Sequence, residues 1–347
     1  MADGPRLTAD AAALSRHLLV LPEGPDAAEV GTLAVCRFAA ARWEDVDAAF
    51  ARAAGGAPVR ALRLGRLSRL VGPFLLTAAD QAQLRVPGQP ASAWQLDCPV
   101  ERGDAPGPGG DRDGLKRAFP DALPVREEER AVQWLVAVAR RLAGSVRIGG
   151  TGTVLTPDPA AQIDLTVHTD GWIEPAELLA VARQVVPRVR ASGAGNRYLG
   201  HDEPLDPRLE AHLERHGVQD ERERSRLAAE AAAYDAYMMS HPQEATGYGI
   251  EADLGVDGIL TVEVAGLDEV PLVLASLPWT RDGVVAYRVH WEPTDFVELE
   301  LERPSLAHRV ARGRAAPQVR GVARALQAVV GGVILDASDF PVDPSTL

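Results

Sequence analysis

Residues 132–148, VQWLVAVARRLAGSVRI, and residues 319–335, VRGVARALQAVVGGVIL, carry the reading of the fold. They lie 187 positions apart and align without a gap. Val132, Leu135, Val136, Ala139 and Leu142 fall on one helical face at spacings of three and four. Val319, Val322, Ala323, Leu326 and Val329 occupy the matching places. Gly144 and Gly331 then stop the helix, and Val146 with Ile148, and Val333 with Leu335, begin a strand. One offset kept across a helix, its stop and the next strand is the mark of a repeated folding unit. Every matched position is an apolar packing residue or a stopping glycine, so the echo bears on architecture and carries no chemistry.

Around these anchors the periodicity predicts short strands at His17–Leu21 and Thr32–Phe38, then a helix with Trp43, Val46, Ala49, Phe50 and Ala53 on one face. Pro58–Leu64, Phe74–Thr77 and Trp94–Val100 read as further strands. Residues 102–124, rich in Gly, Pro and Asp, read as a mobile loop that buries no core. Glu127, Glu128 and Glu129 sit in the first turn of the next helix, where the dipole favours acids. Strands near Val146–Leu155 and Gln162–His168 follow, then a helix opened by Glu174 and Pro175. A loop at 192–206 and helices at 207–216 and about 220–238 make a connector.

The last third predicts a hairpin, Ile250–Leu254 with Ile259–Val264, turning at Asp257-Gly258, and then a helix at Leu267–Leu277. A second hairpin sets Val285, Tyr287, Val289 and Trp291 against Leu301, Leu299 and Val297, with His290 opposite Glu298 and Arg288 opposite Glu300. Short strands and tight turns, without strict strand–helix alternation, favour antiparallel α+β over a doubly wound sheet. The expected division is a first α+β unit at 1–190, a loop and helical connector at 191–240, and a second, related unit at 241–347.

A chain of 347 residues exceeds what one core usually serves. The net charge of -13 argues against a general nucleic-acid or anionic-membrane binder. Lys116 is the single lysine, and the arginine bias, with abundant Ala, Gly and Pro, fits a GC-rich bacterial genome. Two cysteines, Cys36 and Cys98, exclude a disulfide scaffold and point to a reducing cytoplasm. The N-terminus lacks a basic region followed by a long apolar run, and Leu18–Leu21 is too short to span a bilayer.

Candidate chemistry is sparse. Gly149-Gly150-Thr151-Gly152-Thr153 is followed by strand instead of helix and has no P-loop lysine, so it reads as a strand connection. His212 and His216 stand at i and i+4, a feasible zinc pair, but Glu214 matches no zincin order. Asp164, Thr166, His168 and Asp170 alternate with Ile163, Leu165 and Val167, so a polar Asp/His row on a sheet face is a candidate for divalent-metal or acid–base work. Arg60, Arg63, Arg66 and Arg69 recur every third residue without an aromatic platform, which points to the chain's own acids or an acidic partner. Tyr234, Tyr237, Met238, Met239 and Tyr248 concentrate aromatic and methionine side chains of the kind enriched at interfaces. The expectation is a non-enzymatic interaction or regulatory module, with no cofactor, that binds a protein partner or itself. The alternatives are a metal-assisted hydrolase using Asp164, His168 and Asp170, or a small-ligand binder using the cleft between units.

Overall fold

The computed structural model describes residues 5–7, 10–45, 59–87, 91–192 and 247–347, with scattered positions between 225 and 236. They form an α+β fold of two seven-stranded antiparallel sheets with helices packed on them. The first sheet holds β1 His17–Pro22, β2 Arg42–Asp45, β3 Arg60–Arg63, β4 Arg69–Leu76, β5 Ala91–Asp97, β6 Ser145–Arg147 and β7 Val154–Leu155. The second holds β8 Leu165–Thr169, β9 Arg190–Ala191, β10 Gly247–Asp253, β11 Ile259–Leu267, β12 Val284–Glu292, β13 Val333–Asp336 and β14 Pro341–Val342.

Across the first sheet the strands run β2-β3-β4-β5-β1-β6-β7, and across the second β9-β10-β11-β12-β8-β13-β14. Numbered within its own sheet, each reads 2-3-4-5-1-6-7: the two units share one topology strand for strand. After α1 Ala11–Ser15, the helices repeat as well. In the first unit α2 Ala27–Val35 follows the leading strand; α3 Ala78–Leu84 and α4 Leu115–Ala118 are additions; α5 Arg126–Arg141 precedes the sixth strand. In the second unit α6 Pro175–Arg183 and α7 Leu306–Val330 take the places of α2 and α5.

Pleating explains the layers. In the second sheet Tyr287, Val289 and Trp291 alternate with Arg288 and His290, and the apolar set buries against α6 and α7 through Leu178, Val181, Val319 and Leu326. The first sheet is apolar on both faces. Leu19, Leu21, Trp94 and Leu96 meet the layer of α2 and α5, while Leu18, Val20, Phe74 and Ala93 join Leu84 of α3 on the far side. This is why Leu18–Leu21 is an unbroken apolar run instead of an alternating one.

Several expectations are corrected. The sheets divide between Leu155 and Leu165, so β8 and β9, which the expected division put in the first unit, pair into the second sheet. Residues 27–35 are helix where a strand was expected at Thr32–Phe38: the Asp26 carboxylate accepts the Glu29 amide at 2.9 Å, and Val30, Leu33 and Ala34 share the buried face. Trp43 stands in strand β2, paired with Leu62, and the rest of its expected helix, 46–53, lies outside the described residues. Pro271 and Pro278 bracket a segment of three-residue turns, Leu274 to Pro271 and Leu277 to Leu274, in place of the helix at Leu267–Leu277. The hairpin onto Val297–Leu301 does not form, because β12 has β11 on one edge and β8 on the other. Arg288 therefore faces Glu263 and Thr166, His290 faces Thr261, and Phe296–Glu300 is a 3-10 turn. The stretch 102–124 does bury core: Ala118 and Phe119 join the first cluster, and the Gly103–Leu123 and Val125–Glu101 backbone bonds close its base at 2.9 and 3.0 Å.

The units are joined by side-chain insertion. Phe340, in the turn between β13 and β14, is fully buried in the first unit's core with Leu19, Val132 and Trp134. Arg37 pairs with Asp339 at 2.9 Å, and Arg141 donates to the Pro341 carbonyl at 3.3 Å. We expect Phe340→Ala to cost about 3–5 kcal/mol, the range for emptying a core aromatic site. Urea unfolding followed by tryptophan fluorescence checks this, and an unchanged midpoint rejects Phe340 as the coupling residue.

Candidate functional site

The connections that lead into α5 and α7 occupy equivalent places in the two units, and they touch. The Asp111 amide donates to the Glu300 carbonyl at 2.8 Å and the Gly110 amide to the Glu300 carboxylate at 3.2 Å. Arg117 forks onto Glu302 at 2.6 and 3.1 Å, and the Glu302 hydrogen bond raises the already high Arg117 pKa. Two buried guanidiniums stand behind these contacts. Arg140 of α5 donates to Asp113 and, at 2.9 Å, to Gln162; Arg312 of α7 reaches Asp158 at 2.5 Å. His308, buried beside Arg312, stacks edge-on against Trp291 at 5.2 Å, and burial first, then Arg312, pushes its pKa down.

Two spaces open at this junction. One, lined by Arg112, Asp158, His308 and Arg312, is about 60 Å³, enough for a few waters and too small for an organic ligand. The other is an open groove of about 700 Å³ between the 108–116 segment, α5 and Leu299–Glu300. Lys116 does not point a free ammonium into it, since Nζ donates to the Gly107 and Pro108 carbonyls at 2.9 and 3.1 Å.

The expected Asp/His row does not converge. Asp164 accepts the Trp291 amide at 3.0 Å; burial raises its pKa against the lowering by that amide, His290 and Arg112. His168 lies on the opposite face from Leu165 and Val167, buried, and burial drives its pKa down to about 4, so it is neutral at pH 7. The charges that act on it are Asp339 and Arg288, a different set from those around Asp164. Its Nδ1 has no hydrogen-bond partner. Asp170 stands past the end of the strand, 3.5 Å from the Thr169 hydroxyl. His212, His216, Tyr237, Met238 and Met239 lie outside the described residues. Tyr234 is 60% exposed. Tyr248 is a structural residue: its hydroxyl donates to the Ile173 carbonyl and its ring meets Trp172 edge-on at 5.3 Å. Tyr287 completes the clamp on this turn, donating to the Gly171 carbonyl and accepting the Ile173 amide, each at 2.9 Å.

Three arginines of the series meet the chain's own groups. Arg60 lies 4.3 Å over the Trp43 ring, Arg63 contacts Glu44 at 3.3 Å, and Arg69 pairs with Asp97 at 2.9 Å.

One cluster had no signal in the sequence. His17 of β1, Cys98 after β5 and Glu128 of α5 bring their ligand atoms within 4.8 Å of one another, and among the described residues this is the trio that satisfies metal-ligand geometry. Its hydrogen bonds argue for a different role. The Gly149 amide donates to His17 Nδ1 at 3.2 Å, and an amide only donates, so Nδ1 is an acceptor and the ring proton is on Nε2. That Nε2–H donates to Glu128 at 2.9 Å, so the lone pair a metal needs there is taken by a proton. Glu128, fully buried, also accepts the Glu101 amide at 2.7 Å and the Arg102 guanidinium. Burial alone raises the Glu128 pKa; the His17, Arg102 and Glu101 donors outweigh it and hold the carboxyl below its ordinary range. Burial first, then Glu128 and Asp97, pushes the Cys98 thiol up to about 12, so it is no nucleophile at neutral pH. His17 and Glu128 form a buried anchor between sheet and helix.

Comparison with protein-family models, with curated proteins and with solved structures finds no match. No helix among the described residues is long and apolar enough to cross a membrane.

Two stability outcomes follow from this geometry. Tyr287→Phe removes the shared partner of the half-buried Ile173 amide and Gly171 carbonyl and should cost about 0.5–1.5 kcal/mol by chemical denaturation. Glu128 is more acidic folded than unfolded, so its contribution is complete above the unfolded value, about 4.3, and fades as pH falls below it. Glu128→Gln should therefore lower stability at pH 7 by roughly 3–5 kcal/mol and flatten the loss between pH 5 and 3. A parallel pH profile for the two proteins would exclude this carboxylate as its source.

Proposed function

We propose that this chain is a non-enzymatic protein-interaction module whose docking surface runs from Phe296 into the first turns of α7. The observation that carries the reading is a concentration of exposed apolar side chains: Phe296 at 59%, Val297 at 65%, Leu306 at 69% and Val310 at 42%. Exposed apolar residues are ordinary when scattered; gathered along one short stretch they mark a surface that meets another molecule. The polar clusters favour the same reading. Arg140, Arg312, Glu128 and Asp164 each hydrogen-bond to neighbouring protein groups, and Asp164, His168 and Asp170 form no common centre. The two thiols, both free, accord with a reducing cytoplasm. The shared strand order of the units supports an internal duplication as the origin of the architecture.

A second reading, small-ligand binding, is favoured by the groove of about 700 Å³ where the equivalent connections of the two units meet. Its size falls within the usual range for ligand pockets.

The paired variant Phe296→Ser with Leu306→Ser tests the first reading. Wild type is expected to self-associate or retain partner protein in sedimentation and capture experiments, and the variant to do so at least tenfold more weakly with an unchanged melting temperature. Equal association by both proteins would sink the assignment. A thermal-shift screen in which a small molecule raises the melting temperature of wild type and variant alike would favour the groove instead.

A further inference from the structure

Helix α7 contains 25 residues with five arginines and no acid, in a chain of net charge -13. Three of those cations are occupied. Arg312 turns inward to Asp158, Arg314 pairs with Asp257 at 3.3 Å, and Arg324 donates to the Leu347 carbonyl at 2.7 Å. Arg309 and Arg320 are exposed and have no side-chain partner among the described residues. Leu306, Val310, Gly313, Pro317, Arg320 and Arg324 follow one another at alternating spacings of four and three, and all are exposed. That spacing draws one stripe along the outward face, apolar at its N-terminal half and cationic at its C-terminal half.

The middle of the stripe is bare. A Cβ on Gly313 would meet nothing within 4 Å. Pro317, also on this face, has no amide to offer the Gly313 carbonyl. The equivalent helix of the first unit differs: α5 buries Val132, Leu135 and Ala139 towards the sheets and also Trp134, Val138 and Arg140, and the second unit lies against it through Phe340. No described element plays that part for α7, whose buried residues are confined to one side.

We propose that the outward face of α7 docks an acidic amphipathic helix of a partner protein, its apolar residues on Leu306 and Val310 and its carboxylates on Arg309 and Arg320. This rests on the interaction reading and adds the chemistry of the partner. Charge decides the occupant. An acidic helix is steered to this face by unpaired guanidiniums and, away from it, is repelled by the rest of an acidic molecule, which sets its register. Helix-in-groove partners are read by such spacings of three and four.

The test uses two synthetic twenty-residue helices with the same leucine stripe, one carrying glutamates and the other lysines at the flanking positions, measured by fluorescence anisotropy at low and high salt. Wild type should bind the glutamate peptide at least tenfold more tightly than the lysine peptide, with the difference shrinking in salt. The paired variant Arg309→Glu with Arg320→Glu should reverse the preference while keeping the wild-type circular dichroism. An unchanged preference in that variant overturns the proposal. So does tighter binding of an oligonucleotide than of the glutamate peptide, or charge-reversal loss of self-association with no peptide binding, which would give the face to a second copy. If Phe296→Ser with Leu306→Ser abolishes partner capture and the charge reversal does not, the docking surface stands and its acidic partner falls.

Discussion

The insertion of Phe340 into the core of the first unit is the contact on which the arrangement of the molecule depends. It comes from a turn of the second sheet and is completely buried among residues of the first sheet and α5. Around it, Arg37–Asp339 and Arg141–Pro341 close the rim. The result is that α5 is covered on both sides, by its own sheet and by the second unit, which is why so much of its circumference is apolar. Helix α7 has the same place in its unit with one side free. Two copies of one topology thus differ in what covers their equivalent helices, and the proposed partner surface lies on the exposed face of α7.

The polar groups of the junction follow the same logic. Three buried charges have a hydrogen-bonded counter-charge: Arg140 with Asp113, Arg312 with Asp158, Glu128 with Arg102. These pairs tie the connections between strands to the helices behind them. The apolar side chains Phe296, Val297, Leu306 and Val310 nearby remain exposed.

Much of the fold was legible from the chain. Both echo helices, the strand at His17–Leu21 and the hairpin turning at Asp257-Gly258 stand where the patterns placed them. Local signals sufficed there because helix period, glycine stop and turn chemistry act over a few residues. The misreadings have local causes too. At 27–35 the Asp26 cap outweighs the β-branched Thr32 and Val35 within the stretch expected as a strand, and at 271–278 two prolines deny a helix the amides it needs. The site was scarcely visible. Glu127, Glu128 and Glu129 look alike in sequence as dipole-favoured acids, yet Glu127 binds the Leu67 amide and Ser68 hydroxyl, Glu128 binds His17 and Arg102, and Glu129 accepts from Gln133.

The sequence by itself determined the α+β class and the repetition of a helix, its stop and a strand, because those depend on periodicity and on glycine's backbone freedom at short range. Only the tertiary structure decided that the second unit begins at β8, that β12 has no free edge for a closing hairpin, and that His17 meets Glu128 across 111 positions. Such pairings are set by which strand edges remain open and which side chains must share a buried space. Neither leaves a mark in the local pattern of residues.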